Sequence, residues 1–150
     1  MQMFSSEKKF NLLVINGPNL NLLGEREPDM YGRMTLKQLN AEIKSFCKAK
    51  NIRVKFFQSN HEGEIVDCIH RFRKWANGIV INPGALTHYS YSLRDAIAGV
   101  SIPTIEVHLS DIHKRESFRK VSVVQPVCVK QISGKGKNSY LEAIDVLIEL

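Results

Sequence analysis

Glu106 and His108 stand two positions apart at the end of the run Thr104-Ile105-Glu106-Val107-His108. On an extended strand that spacing puts both side chains on one face. A carboxylate beside an imidazole can orient the ring or hold it charged, and a charged imidazole can protonate a leaving hydroxyl. A strand-end histidine satisfied by backbone would show the same spacing, so the pair gains meaning only from its surroundings. Arg26 and Tyr31 form a second candidate pair. A free phenol, with a pKa of about 10, is a poor base at neutral pH. A guanidinium a few ångströms away favours the phenolate and lowers that value. An arginine and a tyrosine in a closing loop are therefore one way to make a base, although a tyrosine packed on an arginine stem is the commoner meaning of such a pair. Asn82-Pro83-Gly84 offers an amide side chain and free N–H groups ahead of a helix, which suits a carboxylate, or is simply a strand-to-helix turn. Arg119 and Asp95 could bind diol hydroxyls or form surface ion pairs.

Common catalytic motifs are absent. Gly134-Lys135-Gly136-Lys137 lacks P-loop spacing because residue 131 is Gln, and Ser139 stands where a dinucleotide GxGxxG would need its last glycine. His61-Glu62 does not continue to an HExxH zinc helix, and no GxSxG occurs. His88, His108 and His113 could hold a metal, but no ligand-spaced carboxylates accompany them.

The elements that must position these groups follow from periodicity. Apolar strand-like runs recur at 10–15, 52–58, 78–81, 104–107 and 126–129. Helix-period segments fall between them at 36–50, 62–75 and 91–100, with a short one after Ser110 and a last one at 139–150. Strands alternating with helices imply an α/β fold with a parallel sheet covered on both faces. At this size the expected architecture is a flavodoxin-like three-layer sandwich with five strands in the order 2-1-3-4-5. Ligands in such sheets bind beyond the carboxyl ends of the strands. Those ends carry Asn16, Asn19 and the Arg26/Tyr31 loop, then Ser59 to Glu62, then Asn82, Ala85 and His88, then His108, Ser110, Asp111 and His113. The first link, 16–35, is roughly three times longer than the usual two to six residues. Gly24 and Gly32 at its margins suit a lid that hinges and closes.

The 150 residues suffice for one domain, 1–150, with the polar residues 1–9 loosely ordered and unlike a secretory signal. No apolar run approaches a membrane span. Three widely spaced cysteines, Cys47, Cys68 and Cys128, fit buried thiols in a reducing compartment, so a cytoplasmic location is expected. The charge of +6, from 21 basic and 15 acidic residues, is compatible with nucleic acid or with a small anionic substrate. No dense basic run with interleaved aromatics appears, so the small anion is favoured over nucleic acid. A module that binds such an anion without turning it over shares all of these features.

Four ordered blocks carry a resemblance: NGPNLNLLGEREPDMYG at 16–32, QSNHEGEIVDCIH at 58–70, NPGALTHYSYSLRDAIA at 82–98 and EVHLSDIHKRESFRKVSV at 106–123. Together they resemble the type II 3-dehydroquinate dehydratases of the shikimate pathway, from about Phe10 to the last residue. The resemblance implies a flavodoxin-like fold, no cofactor, no metal, and a homo-oligomer, a dodecamer built from trimers. It implies Tyr31 as the base that takes a proton from C2 of 3-dehydroquinate, with Arg26 holding it as phenolate. Asn19 would stabilise the enolate, and His108, oriented by Glu106, would protonate the departing C1 hydroxyl. Asn82 and the backbone amides of Leu109 and Ser110 would hold the substrate carboxylate. His88, Arg119 and Asp95 would address its hydroxyls, Asp95 from a neighbouring subunit, with Ala85 along the site. Asp111 stands where the family commonly has Asn, and a negative charge beside an anion site is expected to point away. Lys130 and Lys135 replace commoner residues and bear on the surface or an interface. No lysine stands among the strand-end candidates, so chemistry through a lysine imine is not expected.

Overall fold

The computed structural model describes residues 8–26 and 32–150. Its strands are β1 (Phe10–Asn16), β2 (Ile52–Gln58), β3 (Gly78–Asn82), β4 (Thr104–Val107) and β5 (Lys130–Ile132). Its α-helices are α1 (Leu36–Ala49), α2 (Glu62–Arg71), α3 (Tyr91–Val100) and α4 (Lys137–Ile148). The strands form one sheet, parallel at every pairing, in the expected order β2-β1-β3-β4-β5.

Alternation along β1 explains the two cores. Successive side chains of a strand point to opposite faces. Leu12 and Val14 face one layer while Leu13 and Ile15 face the other, all with no exposure. On the first face Leu39, Ile43 and Cys47 of α1 meet Tyr140, Ala143, Ile144 and Leu147 of α4. On the second, Ile65, Cys68 and Ile69 of α2 meet Leu93, Ala96 and Ile97 of α3. Each fully buried aliphatic side chain contributes roughly 1.5–3 kcal/mol, so these two stripes decide how the helices sit. Helix starts are chemically marked. Thr35 and Gln38 make a reciprocal capping box on α1, and Ser90 accepts the Leu93 N–H at the start of α3.

The strand order has a functional consequence. The chain leaves β1 for β2 in one direction, then returns across β1 to build β3, β4 and β5 in the other. Because parallel crossovers are right-handed, this reversal puts α1 and α2 on opposite faces. It also leaves a crevice at the carboxyl ends of β1 and β3.

Two expectations need correction. The last strand is not at 126–129 but at Lys130–Ile132. Pro126 has no N–H to give a ladder, and it sits in a 3-10 turn, Gln125–Val127. The apolar side chains of Val127 and Cys128 pack against the second core instead. The true strand is a sheet edge with a single buried residue, Ile132, and so lacks the apolar run that identifies a central strand. The second helix ends at Arg71 rather than at residue 75. Its last turns loosen so that Trp75 and Asn77 can bond to Asn11 on β1.

Cys47 and Cys68 are fully buried, one in each core, and burial pushes both thiols up to about 11. A thiol in the unfolded chain ionises near 8.5. The folded value is the higher one, so this contribution to stability is complete below about pH 8.5 and is lost as pH rises toward the folded value. The urea midpoint should therefore fall between pH 8 and pH 10.5, and a Cys47→Ala/Cys68→Ala double variant should show a flatter dependence. Equal slopes in the two proteins would contradict the assignment.

Candidate active site

Two tight turns interlock at the crevice between β1 and β3. The Gly17 N–H donates to the Asn82 carbonyl at 2.8 Å. A Cβ on Gly17 would lie 2.6 Å from the Pro83 carbonyl oxygen, so only glycine allows this approach. Asn19 is left-handed, with φ of 70°, and its N–H donates to the side-chain oxygen of Asn60 at 2.9 Å. Beneath the turns lies a buried, uncharged network. The Tyr140 hydroxyl on α4 donates to Asn16 Oδ1 at 2.6 Å and accepts from Asn82 Nδ2 at 3.0 Å. Asn82 Oδ1 in turn accepts the Gly84 N–H at 3.1 Å. Burial pushes the Tyr140 phenol well up, against the opposing bond from Asn82, so Tyr140 remains a neutral donor.

A charged network lies beside it at the end of β4. Glu106 has no exposure and His108 only 6%. His108 Nε2 lies 2.5 Å from Glu106 Oε2. Thr87 Oγ1 donates to Glu106 Oε2 at 2.6 Å, Ser122 Oγ to Oε1 at 2.7 Å, and Gln131 Nε2 to Oε2 at 2.9 Å. Burial alone would raise this carboxyl, but the bond and charge of His108, with the two hydroxyls, outweigh it and hold Glu106 below its ordinary value. The ring nitrogen of His108 not used by Glu106 is Nδ1.

Above these networks is a cavity of about 150 Å³. About 10–15 Å³ of such space already admits a water, so it has room for a small molecule. Asn19, Arg26, Asn82, Ala85, His88, His108, Leu109, Ser110 and Arg119 all line it, so the structure brings together most of the residues singled out from the sequence. Arg115 lines it as well, and among the described residues no Asp or Glu does. Three guanidiniums stand on this acid-free wall, a charge balance that suits a small anion. The Asp111 carboxylate lies outside the wall and accepts the His113 N–H at 3.0 Å, capping the 3-10 turn Ile112–Lys114. His113 meets Gln131 at 3.2 Å instead of joining the other two histidines. His88 Nδ1 donates to the Val121 carbonyl at 2.7 Å. Burial lowers its pKa first, and the charges of His108 and Arg119 add to that, against the bond to Val121 and the charge of Glu106. Arg119 donates to Glu116 Oε2 at 2.9 Å and stacks over Phe118. Asp95 is exposed on α3 and does not line its own chain's cavity. Tyr31 lies outside the described residues. Lys130 and Lys135 pair with Glu142 at the surface.

Sequence reasoning missed Arg115 on the cavity wall and, beneath the cavity, Thr87, Ser122, Gln131 and Tyr140. The last four come from four separate segments and no motif spacing links them. Gln131 alone had a retrievable signal, since it pairs with Glu106 across β4 and β5, but that signal required the correct strand.

If the neutral network supports the site as described, Tyr140→Phe leaves Asn16 Oδ1 and Asn82 Nδ2 buried with one partner fewer each. The expected loss in urea-derived stability is about 1–3 kcal/mol. A loss too small to measure would show that the ring, not the hydroxyl, is what the fold uses.

The family described as Dehydroquinase class II matches residues 10–148. The chain is 52% identical over 138 residues to a 3-dehydroquinate dehydratase of Bacillus pumilus, covering 92% of this chain and 94% of the relative. It is 56% identical over 140 residues to one of Caldicellulosiruptor saccharolyticus, covering 93% and 97%. Among solved structures, a type II dehydroquinase from Butyrivibrio crossotus superposes with a TM-score of 0.92 at 53% identity, covering 93% of this chain and 98% of that one. One from Propionibacterium acnes gives 0.88 at 35% identity, covering 94% and 99%.

Proposed function

The chain belongs to the class II dehydroquinase family, and from that premise we propose that it dehydrates 3-dehydroquinate to 3-dehydroshikimate. The observation that carries the reading is the buried Glu106–His108 pair facing an arginine-rimmed, acid-free cavity. The substrate is a small carboxylate with several hydroxyls, which fits that charge and volume.

The reaction breaks C2–H and C1–O and forms C1=C2, releasing water. Tyr31, kept as phenolate by Arg26, takes the C2 proton. The C3 carbonyl becomes an enolate, which needs preorganised donors aimed at its oxygen. Asn19, locked in its left-handed turn, supplies the polar group there. His108 then gives its proton to the leaving C1 hydroxyl, and Glu106 stabilises the charged ring until it does. Asn82, together with the backbone amides of Leu109 and Ser110, receives the substrate carboxylate, and Ala85 forms the wall beside it. His88 and Arg119 address the hydroxyls. Every proton moved is accounted for by these side chains and the substrate.

Asp95 completes the set from a neighbouring copy. It sits one helical turn from Tyr91, which is 64% exposed on α3, and Tyr89, Phe118 and Val121 are also exposed large hydrophobics. Covering these side chains with another subunit would bring an Asp95 to a neighbour's cavity. On this reading the protein works as a homo-oligomer of trimers, in keeping with the dodecamer that the family resemblance implies.

Purified protein added to 3-dehydroquinate should produce the ultraviolet absorbance of the conjugated enone. A flat trace at micromolar enzyme would leave only a binding module. Tyr31→Phe should lower turnover by about 10²–10⁴-fold with little change in substrate affinity. The residual activity of Arg26→Ala should rise with pH beyond the wild-type optimum, because the phenol returns toward its free value of about 10. A Tyr31→Phe enzyme with near-normal turnover would move the search for the base to His88 and His108. For the shared site, Asp95→Asn and Tyr31→Phe subunits, each nearly inactive alone, should recover activity when refolded together, because some mixed sites receive both native residues. No recovery despite confirmed mixed oligomers would place Asp95 in its own subunit's machinery or outside it.

A further inference from the structure

The donors on Glu106 are not equivalent. In a buried carboxylate–imidazole pair a single proton can rest on either partner, and a low-dielectric interior favours the neutral arrangement, GluH with uncharged His. For His108 to carry the proton, something must favour the carboxylate. Ser122 Oγ accepts the Val124 and Gln125 N–H groups at 3.2 and 3.0 Å, which holds it as a donor to Oε1. At Oε2, the oxygen that faces His108, Thr87 Oγ1 is a weak arbiter, because a hydroxyl can rotate from donor to acceptor.

Gln131 has no such freedom. Its position opposite Glu106 is set by the β4–β5 register. Its Nε2 donates to Glu106 at 2.9 Å while its Oε1 faces His113 Nε2 at 3.2 Å. A carbonyl oxygen only accepts, so His113 Nε2 carries the N–H. To accept from a protonated Glu106 the amide would have to turn over, and His113 would have to move its proton from Nε2 to Nδ1 to receive the NH₂. A charged His113, with N–H on both ring nitrogens, closes this route altogether.

We propose that Gln131, with His113 behind it, is a positioning residue that keeps the Glu106 carboxylate ionised and thereby keeps the proton of the buried pair on His108. The relay runs from the half-buried edge strand to an exposed histidine on the 3-10 turn Ile112–Lys114, whose N–H is capped by Asp111. The titratable groups that act on Glu106 from the surrounding elements are His108 beside it, His88 from the turn Gly84–His88, and Cys128 from the segment before β5. His113 is exposed, next in sequence to Lys114 and Arg115. The depressed Glu106 carboxyl agrees with this arrangement. Its consequence for turnover rests on the reading of His108 as the acid.

The test follows the Glu106 carboxyl by ¹³C NMR across pH in the full-length protein, in Gln131→Met and in His113→Leu. Methionine keeps the length of the side chain and removes the donor. Loss of a donor to the charged form raises the midpoint of a carboxyl. An increase of about one pH unit in Gln131→Met is expected, with a smaller increase in His113→Leu. In Gln131→Met, kcat should fall while KM stays unchanged. His113 is exposed, so its variant keeps the test open should Gln131→Met fail to fold. A Glu106 midpoint unmoved in both variants overturns the proposal, and one that moves in Gln131→Met alone overturns the part assigned to His113. A midpoint that moves while kcat does not supports the relay and sinks the acid role of His108, so the two readings fail separately.

Discussion

An ionised carboxylate with no solvent exposure is the constraint on which this structure turns. Left unpaired, Glu106 would cost several kcal/mol. It is made tolerable by donors from four places: His108 beyond β4, Thr87 in the turn Gly84–His88, Ser122 in the return toward the sheet edge, and Gln131 on β5. Those segments also meet through the β4–β5 ladder and the second core, where Val124 is fully buried. The stretch between β4 and β5 delivers Ser122 as well and holds the Thr87 carbonyl through the Val123 N–H at 2.8 Å. Even the short edge strand β5 is explained by this need more than by burial, since it contributes one buried residue and one donor.

The cavity obeys the opposite rule. Arg26, Arg115 and Arg119 line it, and the acidic residues closest in sequence are turned to other work. Glu116 holds Arg119 from outside, and Asp111 caps a turn. A positive rim over an acid-free wall suits a small anion, because the field is stronger within a cleft than on an open face. The net charge of +6 therefore reads as a property of this site and of helix ends, where Arg71 sits in the last turn of α2 and Lys48 in that of α1, and not as a nucleic-acid face.

What could be read from sequence follows a physical division. The order of the sheet and both cores were legible because β1, β3 and β4 are central strands, with apolar runs that only a buried strand requires. β5 was misplaced because an edge strand needs no such run, while the neighbouring Pro126, Val127 and Cys128 are apolar for packing against the other layer. Of the site, most of the residues facing the cavity were legible, as strand-end polar groups or through the family resemblance, but Arg115 was not. Nor were the supporting residues. Thr87, Ser122, Gln131 and Tyr140 act through hydrogen bonds between segments 16 to 124 positions apart, and nothing in local spacing encodes such partners.

Two buried networks lie under one cavity, and they hold different charge states. Asn16, Tyr140 and Asn82 form a chain of neutral groups ending at the cavity wall. Were Tyr140 to ionise, it would place a negative charge in the buried interior, where a charge is costly. Full burial prevents this by pushing the phenol up. Asn82 reaches the cavity wall without a charge of its own; its amide N–H is on the Tyr140 hydroxyl and its oxygen on the Gly84 N–H. One anion is thus kept in the floor, at Glu106 beside His108, and the Asn16–Tyr140–Asn82 network next to it stays neutral beneath the positive rim.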